Sequence, residues 1–396
     1  MRARMSLLAL AVAGAAAVAS AQGANQKFVG KWEITETSPN PKSIYFLDVV
    51  DKGDHLEAKF LDRVAHATPV AWIRVENGEL VWQQGNASDT LPKPSCGPIY
   101  RAKLEGGKLV GSHTTPGDPC PAQARAGGAG RGAANAGRGN DQLTSPEQQA
   151  ANMAGMRAAA PAAPKAAPTP VTHQWVGVPA PKFAAANANG KHTYGTPVVV
   201  VGPGKGTEMW SGLTPDTWQN ECADRWTFEN GTMKNAVAPP HQPGTPAEKP
   251  TCNIFTKDKW QNFKAEADIV LDQGQNSGFY IRGRHELQLM LPNPNGRGGE
   301  STYPGQLMDI YGWKSADGPV ANPAGQPQHL EVIVVGNRLT AIFNGKKVHD
   351  NAEIYAWTGG ALDNKEDQPG PIMIQGDHSL VTITKLVVTP ITKPGM

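Results

Sequence analysis

Short runs of alternating apolar and polar residues, separated by turn residues, recur along most of this chain. Residues 263–271 are the clearest case, where Phe263, Ala265, Ala267 and Ile269 alternate with polar residues. A period of two predicts β-strands with one buried face. Few segments repeat apolar residues every three to four positions, as an amphipathic helix requires. The pattern therefore predicts an all-β protein.

A first group of strands is predicted within residues 27–115. Turn pairs such as Lys52-Gly53 and Asn77-Gly78 separate them, and both pairs suit tight hairpin connections. The predicted strands are residues 31–35, 43–50, 56–61, 70–75 and 80–83. This spacing predicts a small N-terminal β-barrel or meander domain.

A second and longer group of strands is predicted within residues 194–391. Turns at residues 336–337 and 344–345 pair Gly with Asn, which suits positive φ and divides one meander. The predicted strands are residues 197–201, 263–271, 276–290 as two strands, 307–312, 329–335, 338–343, 346–349, 372–375 and 380–388. So many strands with almost no helix predict a β-sandwich of two packed antiparallel sheets.

Residues 276–290 contain the arrangement with the clearest chemical content. We expect two strands joined by a turn at residues 283–284. In the second strand, Glu286 and Gln288 share one face and the intervening leucines share the other. Two interpretations stay open: a polar ligand site above an apolar core, or an ordinary half-buried strand with a solvated face.

The amino-acid composition predicts a linker between the two groups of strands. The chain has 396 residues, of which 44 are Gly and 34 are Pro, and only 18% are charged, which favours loop-rich β structure plus linker. Residues 116–172 are dominated by Ala, Gly, Pro and Arg, and bury too little apolar surface to offset the entropy of ordering. We predict a flexible linker there. The net charge of +2 gives no argument for a nucleic-acid partner.

The first residues have the features of an export signal. Arg2 and Arg4 precede an apolar run at residues 7–18, and small residues at 19–21 match a cleavage site. Residues 1–21 are therefore predicted to be a cleaved signal peptide, which makes the mature protein periplasmic or secreted. No transmembrane segment is predicted, because the apolar run is too short and later runs are shorter.

The four cysteines are Cys96, Cys120, Cys222 and Cys252. An even number in an exported protein predicts two disulfides. Of the three pairings, the simplest joins Cys96 to Cys120 and Cys222 to Cys252. A zinc site is the alternative, and the absence of a Cys-x-x-Cys pair disfavours it.

Three small polar groups lie within or at the ends of apolar strands in the second domain. They are Arg282, Glu286 and Gln288; Asp309 and Tyr311; and Gln375, Asp377 and His378. If these strands line one concave face, carboxylates and amides would bind sugar hydroxyls and aromatic rings would cover the sugar face. Each group also has a structural interpretation. The aspartates are typical of turns, Arg282 could pair with Glu286, and His378 could be a solvated loop residue.

The spacing of acidic residues along this strand narrows the reactions that the strand could catalyse. Retaining glycosidases place two carboxyl groups about 5–5.5 Å apart, often on one strand, whereas Glu286 is followed on its face by Gln288. One acid with amide and histidine support fits proton abstraction better than direct displacement.

Residues 207–391 resemble the 3-keto-disaccharide hydrolase domain family, also described as 3-keto-glucoside lyase/hydratase. The matching segments are residues 276–283, 285–288, 309–312, 336–339, 343–345 and 370–378. The resemblance implies a concanavalin A-like jelly-roll sandwich in an exported protein that acts on sugars. Two segments depart from the family pattern: residues 326–329 replace a Trp-Asn pair, and Thr384-Lys385 replace an Arg-Asn pair.

The resemblance also implies a mechanism. Glu286 or His378 would remove the C2 proton of a 3-keto-glucoside, and Arg282 or a bound divalent cation would stabilise the enediolate. Elimination at C1 and hydration would complete a net hydrolysis. The resemblance implies no certain cofactor, with a divalent cation as the one candidate, and the partner is a small sugar or glycoside. The residues expected to bind the substrate are Gln288, Asp309, Tyr311, Gln375, Asp377 and Asn276.

Two other functional classes stay open. The same sandwich commonly serves as a non-catalytic glycan-binding module. A structural envelope protein would instead use a sheet face to contact another protein, and large exposed apolar patches would favour it.

Overall fold

A computed structural model describes ten segments of the chain. They are residues 25–41, 43–62, 67–85, 97–115, 169–211, 226–235, 253–272, 275–291, 305–376 and 380–395. The predicted signal peptide, residues 116–168 of the predicted linker, all four cysteines, and Asp377 and His378 lie outside them. Within the described segments, strands dominate, and helical structure is confined to residues 25–26 and the 3-10 turn Thr207–Met209, so the all-β prediction is confirmed.

The N-terminal domain is one sheet of nine strands in the order β4-β3-β2-β1-β9-β8-β7-β6-β5. The strands are β1 (Gly30–Ser38), β2 (Ile44–Asp51), β3 (Leu56–Asp62), β4 (Thr68–Pro69), β5 (Trp72–Glu76), β6 (Glu79–Gln83), β7 (Ile99–Glu105), β8 (Lys108–Thr115) and β9 (Val171–Pro179).

This sheet closes on itself. The Val70 amide donates to Ala58 in β3, and the next amide, that of Ala71, donates to Gln83 in β6. Consecutive residues thus join the two ends of the sheet, which gives a small barrel with its apolar side chains inside. The predicted N-terminal barrel is confirmed.

Strand β9 enters the barrel from beyond residues 116–168. It pairs with β1 on one side and β8 on the other, and it was not among the predicted strands. Its Trp175 is 1% exposed and fills the barrel interior. A Cβ on Gly111 would lie 2.4 Å from the Trp175 ring, so the glycine in β8 makes room for that indole.

The C-terminal domain contains two sheets. One has nine strands with the main path β13-β14-β23-β16-β19-β20-β21, to which β10 and β11 add by pairing with β23, and the other has the order β12-β15-β22-β17-β18. The strands are β10 (Thr193–Tyr194), β11 (Val198–Val201), β12 (Trp210–Ser211), β13 (Trp226–Glu229), β14 (Thr232–Asn235), β15 (Ile254–Thr256), β16 (Phe263–Val270), β17 (Asn276–Ile281), β18 (His285–Met290), β19 (Pro327–Val335), β20 (Arg338–Phe343), β21 (Lys346–Glu353), β22 (Met373–Ile374) and β23 (Thr382–Lys393).

The core of this domain lies between the two sheets. In β16, Phe263, Ala265, Ala267 and Ile269 are each at most 1% exposed, and the residues between them are half-buried. These side chains pack with inward residues of the smaller sheet, among them Leu287. The predicted jelly-roll-like sandwich is confirmed. No helix in the described segments has the length and apolarity to cross a bilayer.

One loop of the sandwich packs against the barrel. Trp357 is fully buried and clusters with Phe46 and Leu61 of the barrel. Nearby, the Lys31 ammonium lies 3.4 Å from the Tyr355 ring centroid. The barrel therefore supports residues 355–362. The same loop borders the face of β17 and β18 that points away from the core.

Candidate functional site

The hairpin β17–β18 carries the polar face. Ile281 pairs with His285, and the turn between them includes Arg282 and Gly283, with φ of 54° and 68°. Two adjacent positive φ values are typical of tight hairpin turns. The turn covers residues 282–284, so it includes the predicted residues 283–284 and begins one residue earlier. The strand alternation predicted around Glu286 is retained.

Glu286 lies on the face of the small sheet that points away from the core. It pairs across the strands with Tyr280, and Gln288 pairs with Gly278. A Cβ on Gly278 would lie 2.4 Å from Glu286 Oε1 and 2.8 Å from the Tyr280 ring. The absent side chain at Gly278 therefore creates the space that the Glu286 carboxyl occupies.

Two groups outside the hairpin's own backbone fix Glu286. The Tyr280 hydroxyl lies 2.8 Å from Glu286 Oε2 and 2.7 Å from the Gly359 carbonyl oxygen. The Glu286 amide donates to Thr358 Oγ1 at 3.0 Å. Thr358 and Gly359 belong to the loop that packs on the barrel, so this loop fixes the Glu286 backbone directly and the Glu286 carboxylate through Tyr280.

Two buried amide side chains flank Gly278. Gln288 Nε2 donates to Asn276 Oδ1 at 3.1 Å, and the backbone N–H of Gln375 donates to the Gly278 carbonyl at 3.0 Å. The side-chain oxygens of Gln288 and Gln375 are both buried and have no hydrogen-bond partner. An unmatched buried acceptor costs roughly 1–3 kcal/mol, so both oxygens are suited to a ligand that donates hydrogen bonds.

Exposure increases along this face. Tyr280 is 1% exposed, Glu286 3% and Gln288 4%, whereas Asn276 at the start of β17 is half-exposed. The Asn276 end is therefore the open end among the described residues, and Glu286 lies deeper.

Arg282 faces a different neighbourhood from Glu286. It is fully buried, and the Gln261 side chain, oriented to donate to Gln368, accepts from Arg282 Nη1 at 3.1 Å. Burial, together with the neighbouring charge of Arg284 and against the opposing effect of Glu366, lowers the pKa of Arg282 to about 10. The turn ends the strand alternation, so Arg282 no longer follows the face that carries Glu286.

A buried group of ionisable residues lies where the turn meets the barrel. Arg284 Nε donates to Asp363 Oδ1 at 2.5 Å. Burial raises the pKa of Glu366 to about 7, against the opposing charge of Arg282. Burial, followed by repulsion from Glu366, raises the pKa of Glu33 in the barrel to about 8. The contact between the two domains therefore contains ionisable side chains from both, Glu33 from the barrel and Glu366 from the sandwich.

Residues 307–311 run along the free edge of β18 without forming a full strand. The Tyr311 amide donates to the Glu286 carbonyl at 3.1 Å. The two carboxylate oxygens of Asp309 accept the amides of Gln306 and Ala316, each at 2.8 Å. Burial nevertheless raises the pKa of Asp309. In the described contacts this carboxylate organises its own loop.

Residues 199–388 match the family model described as a 3-keto-alpha-glucoside-1,2-lyase-like domain. This match confirms the predicted resemblance of the sandwich to this family. No curated protein matches the chain in sequence.

Solved structures similar to this chain are distant, each at or below 21% sequence identity. Two are described as glycosyl hydrolases from Parabacteroides distasonis ATCC 8503. The first is 17% identical, with 50% of this chain and 90% of that chain covered and a TM-score of 0.37. The second is 21% identical, with 50% and 100% covered and a TM-score of 0.35. A Bacillus licheniformis beta-glucanase is 13% identical, with 50% and 98% covered and a TM-score of 0.30.

Sequence reasoning missed three residues of the lyase-like domain that contact Glu286. Gly278 and Tyr280 share its face by the same period-two alternation that selected Glu286, so the pattern contained that signal. Thr358 had no such signal, because its contact with Glu286 joins residues far apart in the chain.

A separate concavity lies beside the polar face. It has a volume of about 230 Å³ and is lined by Ile310, Trp313, Lys314, Glu353, Ile354 and Tyr355. None of the predicted site residues lines it. Within the described segments, no group of three or more His, Cys, Asp or Glu residues is arranged to hold a metal ion.

Proposed function

We propose that the lyase-like domain cleaves 3-keto-glycosides, with Glu286 as the base that removes the C2 proton of the sugar. Its family supports a carbohydrate-active enzyme. The observation that carries the specific proposal is the buried Glu286 carboxylate, which lies against Gly278 and has two amide oxygens without partners nearby. This arrangement offers one base and two acceptors for sugar hydroxyls.

The reaction has three steps. The 3-keto group makes the C2 proton acidic, because the electron pair left at C2 delocalises onto the carbonyl oxygen as an enediolate. Glu286 takes that proton. The C1–O bond then breaks, the aglycone leaves as an alcohol after gaining a proton, and water adds at C1 to give the free 3-keto sugar. No oxidant or reductant is consumed, and the net reaction is hydrolysis.

We expect the Tyr280 hydroxyl to change its hydrogen-bond acceptor when Glu286 becomes protonated. Its hydroxyl has one proton and two acceptors in reach, Glu286 Oε2 and the Gly359 carbonyl. While Glu286 is ionised, the hydroxyl donates to it. Once Glu286 holds the substrate proton, Tyr280 can donate to Gly359 and accept from Glu286, so no buried group loses its partner during turnover.

Substrate binding is assigned to the open end of the same face. Sugar hydroxyls would donate to the unpaired oxygens of Gln288 and Gln375, and Asn276 would contact the part of the substrate nearest solvent. A ligand that donates to both oxygens removes part of the free-energy cost of leaving these two acceptors unpaired. Asp377 and His378 follow Gln375 in sequence. Asp377 remains a predicted substrate-binding residue, and His378 remains the alternative predicted base.

The enediolate needs a stabilising charge, because a preorganised charge at a developing oxyanion is usually the largest catalytic contribution. Arg282 remains the predicted group, although its described neighbours are Glu366 and Gln261. A bound divalent cation is the alternative. Activity that survives exhaustive chelation favours the arginine, and activity that requires added cation favours the metal.

Glu286→Gln tests the proposal because it keeps the size of the side chain and removes the base. We expect hydrolysis of a 3-keto-glucoside to fall by about 10²–10⁴-fold, and exchange of the C2 proton with deuterated water to fall with it. Glu266→Gln, on an outward position of the other sheet, is the matched control and should keep full activity. Equal turnover by wild type and Glu286→Gln would refute the role of Glu286.

The export prediction is also part of the proposal. If residues 1–21 are removed on export, sequencing the secreted or periplasmic protein should give an N-terminus near Gln22. Retention of Met1 in the mature protein would contradict it.

The cleft lined by Trp313 and Tyr355 keeps glycan binding as the second candidate function, because aromatic rings are suited to apolar sugar faces. Affinity for unoxidised oligosaccharides without turnover, lost in Trp313→Ala, would select that function over catalysis.

A further inference from the structure

The inside of the N-terminal barrel contains a second polar group that the lyase chemistry does not use. Thr115, His173 and Glu36 lie on three neighbouring strands, β8, β9 and β1. Thr115 Oγ1 is 2.8 Å from His173 Nε2, and His173 Nδ1 is 2.9 Å from Glu36 Oε1. Hydroxyl, imidazole and carboxyl thus form one continuous hydrogen-bonded chain.

The carboxyl end of this chain is fixed and charged. Glu36 is 1% exposed, and its oxygens accept from the Tyr45 hydroxyl at 2.8 Å and from the Asn40 amide at 2.9 Å. Burial by itself would raise the pKa of Glu36, but hydrogen bonds from Asn40, His173 and Tyr45 outweigh burial and lower it. Glu36 is therefore a carboxylate at neutral pH.

That charge determines the direction of each hydrogen bond. A carboxylate only accepts, so the proton of a neutral His173 is on Nδ1 and points at Glu36. His173 Nε2 then carries the lone pair, and the Thr115 hydroxyl donates to it. A hydroxyl that donates to an imidazole held by a buried carboxylate is the arrangement that activates a nucleophile.

The group is accessible and has an unused polar atom beside it. The His173 side chain is 18% exposed, and Thr115 is half-buried at the end of β8. His113 stacks on His173 with ring centroids 4.5 Å apart, is 4% exposed, and has a buried Nδ1 without a partner. A neutral imidazole can present an N–H to a developing oxyanion.

We propose that this end of the barrel is a second hydrolytic site, in which Thr115 is the nucleophile, His173 the general base and Glu36 the orienting acid, and that it takes carboxylic esters. Thr115 Oγ1 attacks the ester carbonyl carbon and its proton passes to His173 Nε2. The ester C–O bond breaks and the alcohol leaves with that proton. Water, deprotonated by His173, then cleaves the acyl-threonine, which releases the carboxylic acid and restores Thr115.

The test uses the full-length protein and 4-nitrophenyl acetate. Thr115→Val replaces the hydroxyl by a methyl group of similar size, and we expect ester hydrolysis to fall by about 10²-fold or more. Thr115→Ser should retain activity. Thr114→Val, its exposed neighbour in β8, is the matched control and should behave as wild type. Mass spectrometry of protein quenched during turnover should find the acetyl group on Thr115.

Three results would overturn the proposal: no ester hydrolysis above buffer by wild type, unchanged hydrolysis by Thr115→Val, or acetylation only at other residues. Melting temperatures identify variants that fail to fold, and Thr115→Ser provides the second readout in that case. The site is independent of the lyase proposal. Thr115→Val should still cleave 3-keto-glucosides, and Glu286→Gln should still hydrolyse the ester.

Discussion

Replacing Gly278 by alanine should disable the lyase-like site without replacing any group that takes part in the chemistry. The added Cβ would lie 2.4 Å from Glu286 Oε1, whereas ordinary contacts begin at 3.4 Å, so the carboxyl must move by roughly 1 Å. The Tyr280 ring, 2.8 Å from the same Cβ, prevents a simple shift toward its side.

The size of the effect follows from that displacement. A misplacement of about 1 Å in a reacting group costs about 10²-fold in rate, so we expect kcat/KM for a 3-keto-glucoside to fall by about that factor. Overpacking of a buried site costs about 1–3 kcal/mol, which lowers the melting temperature by several degrees without unfolding the domain.

The assay compares steady-state hydrolysis and thermal unfolding of wild type, Gly278→Ala and Gly206→Ala. Gly206 is the control because its added Cβ would meet only the end of the exposed Glu208 side chain, at 3.2 Å. Full activity in a folded Gly278→Ala variant would show that the position of the Glu286 carboxyl against Gly278 is irrelevant to catalysis. Loss of activity in Gly206→Ala as well would point to a general effect of added side chains.

Two further predictions concern Tyr280 and Glu33. Tyr280→Phe removes a hydrogen bond to a charged group, worth about 1.5–3 kcal/mol; we expect kcat to fall by about 10- to 100-fold with KM little changed, and a change in KM alone would contradict the positioning of Glu286 by Tyr280. The pKa of Glu33 is raised from its ordinary value of 4.5 to about 8 in the fold, so the folded state binds this proton more tightly than the unfolded chain does. The contribution of Glu33 to the free energy of unfolding is therefore fully present below pH 4.5 and is lost as pH rises through about 8. Urea unfolding across this range should show a smaller decrease for Glu33→Gln than for wild type, part of the decrease remaining because Glu366 also titrates; identical pH profiles would refute the buried position of Glu33.

The strands of this protein follow from local sequence. Alternation over residues 263–271 predicted β16 and its buried face, because a period of two acts within a single strand. The same argument placed Glu286 and Gln288 on the side of β18 away from the core. Turn residues set most strand ends, since Gly and Asn accept the positive φ that hairpins need.

Partners distant in sequence were decided only by the tertiary structure. Strand β9 completes a barrel that begins well over a hundred residues earlier, and no local pattern specifies which strands it joins. The contact of Thr358 with Glu286 and the burial of Arg282 have the same origin. The Thr358 contact depends on the loop that the barrel supports, and Arg282 is buried among neighbours that include Gln261 and Gly370.

The sequence by itself therefore determined the fold class, most of the strands and the face that carries the candidate base. The tertiary structure decided what surrounds that base, which charges are buried between the domains, and that the barrel aligns a hydroxyl, an imidazole and a carboxylate. The physical reason is that backbone alternation and turn preference act over a few residues. Burial and hydrogen bonding between side chains depend on whichever segments pack together, however far apart they lie in the chain.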